Sequence, residues 1–176
     1  MYLRALLALP LLAACGGGGG APTVLGDVSV IEGGLSVDDG PGFPGAGPLG
    51  HDGFVLLLND ERAQGGIRAV AQNAILTSVA QDHAEDMIAR DYLSHTDPEG
   101  GRAGDRARAA GYDWDFVAEN IAQGFATDDA VMAAWMGSPS HRDNILDPRA
   151  DEFGIGLEGS TWVLLLGHEY QEPTAP

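Results

Sequence analysis

The stretch FGIGLEGSTWVLLLG, residues 153–167, decides the class of fold. It holds two apolar runs, 153–159 and 161–167, which meet at the turn residues Glu158, Gly159 and Ser160. Both runs contain β-branched or aromatic residues, which favour extended structure. Short runs of this kind, separated by glycine and serine, are typical of an antiparallel hairpin. The sequence therefore predicts two paired strands in this part of the chain.

Upstream of this hairpin the apolar residues follow a helical period. The stretch DGFVLLLNDERAQ (52–64) has the apolar density of a buried helix, and Gly65 and Gly66 end it. Further helices are predicted within 73–91, within 104–111, and from Thr127 as N-cap to Gly137. The buried face of the second helix is predicted to consist of Leu76, Val79, Ala80, His83, Met87 and Ile88. Helices followed by strands predict an α+β domain in which helices pack on a small antiparallel sheet.

The first fifteen residues, MYLRALLALPLLAAC, have the pattern of an export signal. Arg4 precedes a short apolar run and then small residues, which predicts a secretory signal over residues 1–14. The run is shorter than the roughly 20 apolar residues that span a bilayer. Its end, LAAC, resembles a bacterial lipobox, so Cys15 is the predicted lipidation site and membrane anchor. An ordinary signal peptide with secretion of the protein is the alternative.

Composition predicts how the remaining chain is organised. Residues 15–50 are rich in glycine and proline and are expected to form a flexible tether, although TVLGDVSVIEGGLSV (23–37) has enough apolar residues for an added strand. Residues 51–172 are expected to form one folded domain, and residues 173–176 a tail. Cys15 is the only cysteine, so an intramolecular disulfide is excluded.

The charge of the chain bears on its partners. The formal net charge is −17, and all nine basic residues are arginines. Such a surface repels nucleic acid and anionic lipid headgroups. We therefore expect no nucleic acid partner, and we expect lipid on Cys15 to supply the membrane contact.

Eight short sequence motifs follow one another along residues 53–167. Together they resemble the CAP superfamily, which comprises cysteine-rich secretory proteins, antigen 5 and pathogenesis-related proteins and is also called the SCP domain. The similarity is greatest to the bacterial branch without disulfides. It implies an α-β-α sandwich with a central cleft, exported to the bacterial cell envelope. The motifs are LLNDER (57–62), AQDHAEDM (80–87), SHTDPEG (94–100), AGYDW (110–114), AENIAQG (118–124), AVMAAWMGSPSHRDNIL (130–146), FGIGLEG (153–159) and WVLLLG (162–167).

The resemblance also implies which residues line the cleft. His95 of SHT matches the first cleft histidine, Glu119 of AENI the acid, and His141 of SPSHR the second histidine. Many eukaryotic members carry a second acid where this chain has Ser138. Two imidazoles and a carboxylate are ligands that Zn²⁺ accepts, so the same three residues form the predicted metal site.

Three interpretations of this cleft follow. The first is a non-catalytic binding module at the cell envelope, for which the resemblance suggests a lipid, a sterol or a small apolar ligand. The second is a metal-dependent hydrolase or peptidase in which Glu119 acts as general base. In the third, His95, Glu119 and His141 satisfy one another as a buried polar network that orders the loops without any ligand.

Overall fold

A computed structural model describes residues 23–24 and 52–172 of the chain. The predicted signal segment, the lipidation site Cys15 and the tail 173–176 lie outside the described residues, as does the tether apart from 23–24. No helix in the described part of the chain is long and apolar enough to cross a membrane. The elements are β1 (Thr23–Val24), α1 (Asp52–Gln64), β2 (Ala71–Gln72), α2 (Ala74–Ala89), α3 (Ala103–Ala109), β3 (Trp114–Gln123), α4 (Asp128–Gly137), α5 (Pro139–Ile145), β4 (Glu152–Glu158) and β5 (Thr161–Glu169).

The strands form one sheet in the order β1-β3-β5-β4-β2. The predicted hairpin is confirmed, since β4 and β5 pair antiparallel with Glu158 opposite Thr161. Strand β3 pairs antiparallel with the other side of β5. The edge strand β2 runs parallel to β4, so the sheet is antiparallel except at that edge. Strand β1 adds two residues to β3 from within the segment predicted as tether.

Helices cover both faces of the sheet, and alternation along β5 shows which face each helix covers. Trp162, Leu164 and Leu166 pack with α1, α4 and α5, whereas Val163 and Leu165 pack with α2 and α3. Successive side chains of a strand point to opposite faces, so each set belongs to one layer. The predicted α+β class and the α-β-α sandwich are therefore confirmed.

The boundaries of the predicted helices agree closely with the structure. Helix α1 spans 52–64 as predicted, and the side chain of Thr127 caps α4 by accepting from the amide of Ala130. One predicted core residue of α2 is wrong, because Ile88 is 44% exposed. Three elements were not predicted, namely the two-residue strand β2, the strand β3 and the short helix α5, which begins at Pro139.

Helix α2 lies unusually close to β4 because β4 carries glycines where the two backbones meet. A Cβ built on Gly154 falls 2.1 Å from the backbone carbon of Leu76, and one built on Gly156 falls 2.4 Å from that of Ala80. Any side chain at these positions overlaps with backbone atoms, which have little room to move. These glycines therefore fix the distance between α2 and the sheet, and with it the position of His83 on α2.

We predict that Gly154→Ala lowers the free energy of unfolding by about 3 kcal/mol or more, because α2 must move away from β4. Gly137→Ala is the matched control: a Cβ there meets nothing within 4 Å. That control is expected to change stability by no more than about 0.5 kcal/mol. Urea unfolding followed by circular dichroism compares the two variants, and equal effects would contradict the close approach of α2.

Candidate functional site

Glu119 is the centre of a buried polar network on β3. Its side chain is only 4% exposed and points to the sheet face that α2 and α3 cover. One carboxylate oxygen, Oε1, accepts a hydrogen bond from Nδ1 of His95 at 2.8 Å. The other, Oε2, accepts from Nη2 of Arg106 at 2.6 Å. Both oxygens are thus engaged, one by an imidazole and one by a guanidinium, and such charge-assisted bonds are among the strong ones in proteins.

The end of α2 determines where His95 lies. The backbone of Asp91 adopts the left-handed conformation, with φ of 54°, and the amide of Tyr92 bonds to the carbonyl of Met87 at 3.0 Å. This pattern closes the helix and reverses the chain. The hydroxyl of Tyr92 then donates to Oδ2 of Asp86 at 2.6 Å, which lowers the pKa of that carboxyl. The following segment crosses Glu119, and the side chain of His95 remains 46% exposed.

The second histidine beside Glu119 is His83. Its Nε2–H donates to the carbonyl of Ser94 at 3.0 Å and lies 4.0 Å from Oε2 of Glu119. The sequence predicted a core histidine on the apolar face of α2, and His83 is indeed buried. Burial lowers its pKa from 6.5, and Arg106 acts in the same direction, while Glu119 acts to raise it. Its place beside Glu119 was not predicted.

Arg106 of α3 joins the separate segments of this network, and sequence reasoning missed it. Its side chain is 15% exposed. Besides its bond to Glu119, it donates to the carbonyl of Gly101 at 2.9 Å and to that of His95 at 3.4 Å, and it lies 3.8 Å from Oδ2 of Asp97. No spacing rule points to an arginine on a seven-residue helix, because its role depends on tertiary contacts alone.

The side chains that contact Glu119 among the described residues are those of His95, Arg106 and His83, and the place of His141 in the cleft stays a prediction. Within residues 52–172, no hydrogen bond or ion pair connects His141 with His95 or Glu119. The physical reason is the alternation of β3: Glu119 faces α2 and α3, so its neighbour Asn120 faces α4 and α5. Asn120 donates to the backbone carbonyl of His141 at 3.0 Å, and the His141 side chain is buried.

The predicted zinc ligands do not form a metal site in this arrangement. Among the described residues, no group of three His, Cys, Asp or Glu side chains is placed to hold a metal ion. A catalytic zinc ordinarily takes three protein ligands. Here His95 and Glu119 bind each other, and the positive charge of Arg106 already balances the carboxylate. The residues present therefore do not fit the metal set His95, Glu119 and His141. Ser138, at the position of the second acid, is buried where α4 meets α5.

A cleft of about 780 Å³ opens beside this network, and we call it the β3 cleft. Its volume lies within the range of small-molecule sites, which is roughly 300–1,000 Å³. Its lining mixes charged, polar and aromatic side chains, and His141 is not among them. The lining residues are His95, Thr96, Arg102–Asp105, Trp114, Phe116–Glu119, Asn144 and Arg149.

Two arginines stack on the aromatic residues of the β3 cleft. The guanidinium of Arg108 lies 4.5 Å from the ring centroid of Trp114, and that of Arg149 lies 4.2 Å from that of Phe116. Gly104 packs against the Trp114 ring, where a Cβ would come within 2.5 Å of it, and its carbonyl accepts from the indole nitrogen. Trp114 is therefore fixed as part of the wall.

Comparison with known proteins agrees with this architecture. The model of the cysteine-rich secretory protein family, CAP, matches residues 55–164. The chain belongs to the CAP family. The membership predicted from the eight motifs is thus confirmed.

Similar proteins are bacterial. The chain is 34% identical over 111 residues to an uncharacterised protein, YkwD, of Bacillus subtilis, covering 62% of this chain and 43% of that protein. It is 25% identical to an extracellular SCP-domain protein from Bacillus anthracis, with a TM-score of 0.65, covering 70% and 45% of the two chains. An outer surface protein from Borrelia burgdorferi shares the fold, with 20% identity, a TM-score of 0.63, and 69% and 95% coverage.

These similarities bear on where the protein is located and on how much of its relatives it matches. The similar protein from Bacillus anthracis is extracellular, which is consistent with the predicted export of this CAP protein. The chain spans less than half the length of its Bacillus subtilis relative. The shared part is thus the CAP domain.

We predict that Glu119→Gln destabilises the domain by about 2–3 kcal/mol, because Arg106 and His95 lose a buried negative partner. Glu85→Gln on the exposed side of α2 is the matched control, since Glu85 receives only a hydrogen bond from Gln81. Urea unfolding at pH 7 measures both. A Glu119→Gln variant as stable as the control would contradict a carboxylate that balances these partners.

The lowered pKa of His83 predicts an acid-dependent loss of stability. As the pH falls through 6.5, the unfolded chain binds a proton at this ring that the folded protein resists, so the free energy of unfolding decreases. Above about pH 7 neither state is protonated, and the ring contributes no pH dependence. His83→Gln should therefore show a shallower decline of the urea midpoint between pH 7 and 5 than the unaltered protein. An equally steep decline of the urea midpoint in both proteins would contradict a lowered pKa of His83.

Proposed function

We propose that this CAP-domain protein is an exported, lipid-anchored binding module of the bacterial cell envelope that does not catalyse a reaction. Its ligand lies in the β3 cleft, and Cys15 carries the lipid. The observation that carries the proposal is the state of Glu119, whose two oxygens both accept hydrogen bonds from neighbouring side chains.

A carboxylate held in this way is a poor general base. A general base must reach the proton that it removes, directly or through one water. Oε1 is opposite His95, Oε2 is opposite Arg106, and the side chain is almost fully buried. These contacts support a structural role for Glu119, because its carboxylate holds His95 and α3 in place beside the β3 cleft. The hydrolase interpretation gains no such support.

The lining of the β3 cleft supports a ligand that has polar groups. Arg102, Asp105, Asn144 and Arg149 line it together with Phe116 and Ala118. Pockets for small ligands usually combine apolar walls with a few polar groups that orient the ligand. A lipid, a sterol or a small apolar ligand stays a prediction from family resemblance, and it belongs in the ligand screen.

The test uses the ¹⁵N-labelled domain and three probes: palmitate, cholesterol and a mixture of random hexapeptides. At least one probe is expected to shift the amide signals of Phe116–Glu119. Ala103→Trp fills the β3 cleft and should abolish these shifts, because Ala103 lines it. Ala109→Trp, on the exposed end of the same helix, should leave them unchanged. Thermal unfolding midpoints verify that both variants are folded.

Two outcomes would overturn the proposed function. The first is the absence of shifts at Phe116–Glu119 with all three probes. The second is hydrolysis of a casein substrate by the purified domain that is lost in Glu119→Gln, since that result would make Glu119 a catalytic group.

A further inference from the structure

The β3 cleft opens at the edge of a strand, and this follows from its lining. Four consecutive residues of β3, Phe116 to Glu119, contribute to it. Successive side chains of a strand point to opposite faces of the sheet. A cavity that touches all four must therefore lie along the outer edge of β3, where both faces and the backbone are accessible.

The register of the sheet shows which backbone groups point to this edge. Glu158 and Thr161 form the closing pair of the two-residue turn between β4 and β5, so they exchange hydrogen bonds. The backbone N–H and C=O groups of successive residues point alternately to the two neighbouring strands. Those of the even-numbered residues 162 to 168 of β5 therefore point towards β3. Their partners on β3 are the even-numbered residues 116 to 122. The odd-numbered residues of β3, from 117 to 123, consequently point their N–H and C=O groups away from β5.

Part of this outer edge is already occupied. Gln123 faces Thr23 of β1. The carbonyl of Ile121 accepts from Nε1 of Trp135 at 3.5 Å, and that of Glu119 accepts from Nδ2 of Asn144 at 3.3 Å. These two side chains stand where a longer β1 ladder would continue, which accounts for the position of Asn144 at the wall of the cleft.

Among the described residues, none pairs with the edge of β3 beyond Asn144. In the part of the chain that the structure describes, no backbone or side-chain hydrogen bond reaches the N–H or C=O of Val117 or the N–H of Glu119 from outside. An unpaired strand edge presents a row of donors and acceptors that fits the backbone of another extended segment. Three such groups lie in the β3 cleft.

Charge at the rim adds a preference for the side chains of this segment. Arg102 lines the β3 cleft and is exposed, and among the described carboxylates none lies within ion-pair distance of its guanidinium. The protein as a whole has a formal charge of −17, whereas the β3 cleft has two guanidinium groups in its lining, those of Arg102 and Arg149. A carboxylate on the ligand would supply an acidic partner for Arg102.

We propose that the β3 cleft takes an extended peptide segment of a partner protein, one that carries an acidic side chain, and that this segment adds as a strand to β3 at Val117. The peptide backbone bonds to the N–H and C=O of Val117 and to the N–H of Glu119, and its carboxylate pairs with Arg102. This inference rests on the proposed function, whose ligand it specifies.

The experiment selects hexapeptides from a randomised phage-displayed library on the purified domain. Selected peptides are then synthesised, and binding is measured by fluorescence anisotropy. Enriched sequences are expected to contain Asp or Glu. Methylation of the peptide nitrogen that faces Val117, located by scanning each position, should weaken binding about five- to ten-fold by removing one hydrogen bond. Arg102→Ala should weaken it about three-fold, whereas Arg142→Ala on α5 is the control and should have no effect.

Val117→Pro provides a second variant, because it removes an N–H that points away from β5 and leaves the β5 ladder intact. This variant should bind the unmodified peptide more weakly, just as the unaltered domain should bind the methylated peptides more weakly. Peptides that bind equally well after methylation at every position, or a library that yields no binder, would overturn the strand-addition proposal. In either case a shift at Phe116–Glu119 with palmitate, cholesterol or the hexapeptide mixture would leave the proposed function standing, whereas the absence of shifts with all three probes would remove both proposals.

Discussion

The buried carboxylate of Glu119 is the constraint on which the rest of the site depends. A carboxylate with 4% exposure is costly to bury unless it is paired and hydrogen-bonded. His95 and Arg106 supply these partners from two segments that share no secondary structure with β3. Balancing one charge therefore fixes the loop after α2, the short helix α3 and the wall of the β3 cleft. The same contacts explain why the cleft keeps its shape without a disulfide in the described domain.

The network also relates the layers of the fold to function. Gly154 and Gly156 let α2 approach β4 closely, and this approach places His83 within 4.0 Å of Glu119. On the opposite face, Asn120 and Asn144 tie α5 to the same strand. Strand β3 is thus held from both faces around residues 119–120, while no described residue pairs with its outer edge at Val117. A rigid strand with an accessible edge is a suitable surface for binding, and it requires no catalytic group.

Much of this fold follows from the sequence, because local patterns and family motifs agree. The apolar density of α1, the cap Thr127, and the turn between β4 and β5 are all encoded within a few residues. Strand β3 was missed because its ten residues mix charged and small side chains and follow no clean alternation. Helix α5 was missed because the pair Ser138 and Pro139 is as typical of a loop as of the first turn of a helix.

Only part of the site could be predicted from the sequence, because its other contacts depend on how distant segments fold together. His95 and Glu119 were placed in one cleft, and the structure joins them. His141 was grouped with them by family resemblance, yet the alternation of β3 puts its segment against Asn120 on the other face of the sheet. His83 and Arg106 carry no motif, since their roles arise from distances between α2, α3 and β3 that only the folded chain sets.

A double-mutant cycle on Glu119 and Arg106 measures how strongly the buried carboxylate and its guanidinium partner stabilise each other. Urea unfolding of Glu119→Gln, Arg106→Met and the double variant yields the coupling energy between the two side chains. Arg90 and Glu99 form a comparison pair with similar hydrogen-bond lengths of 2.7 and 2.8 Å but much greater exposure. We expect a coupling of about 2 kcal/mol for the buried pair and a far smaller one for the exposed pair. Equal couplings, or none between Glu119 and Arg106, would contradict this expectation.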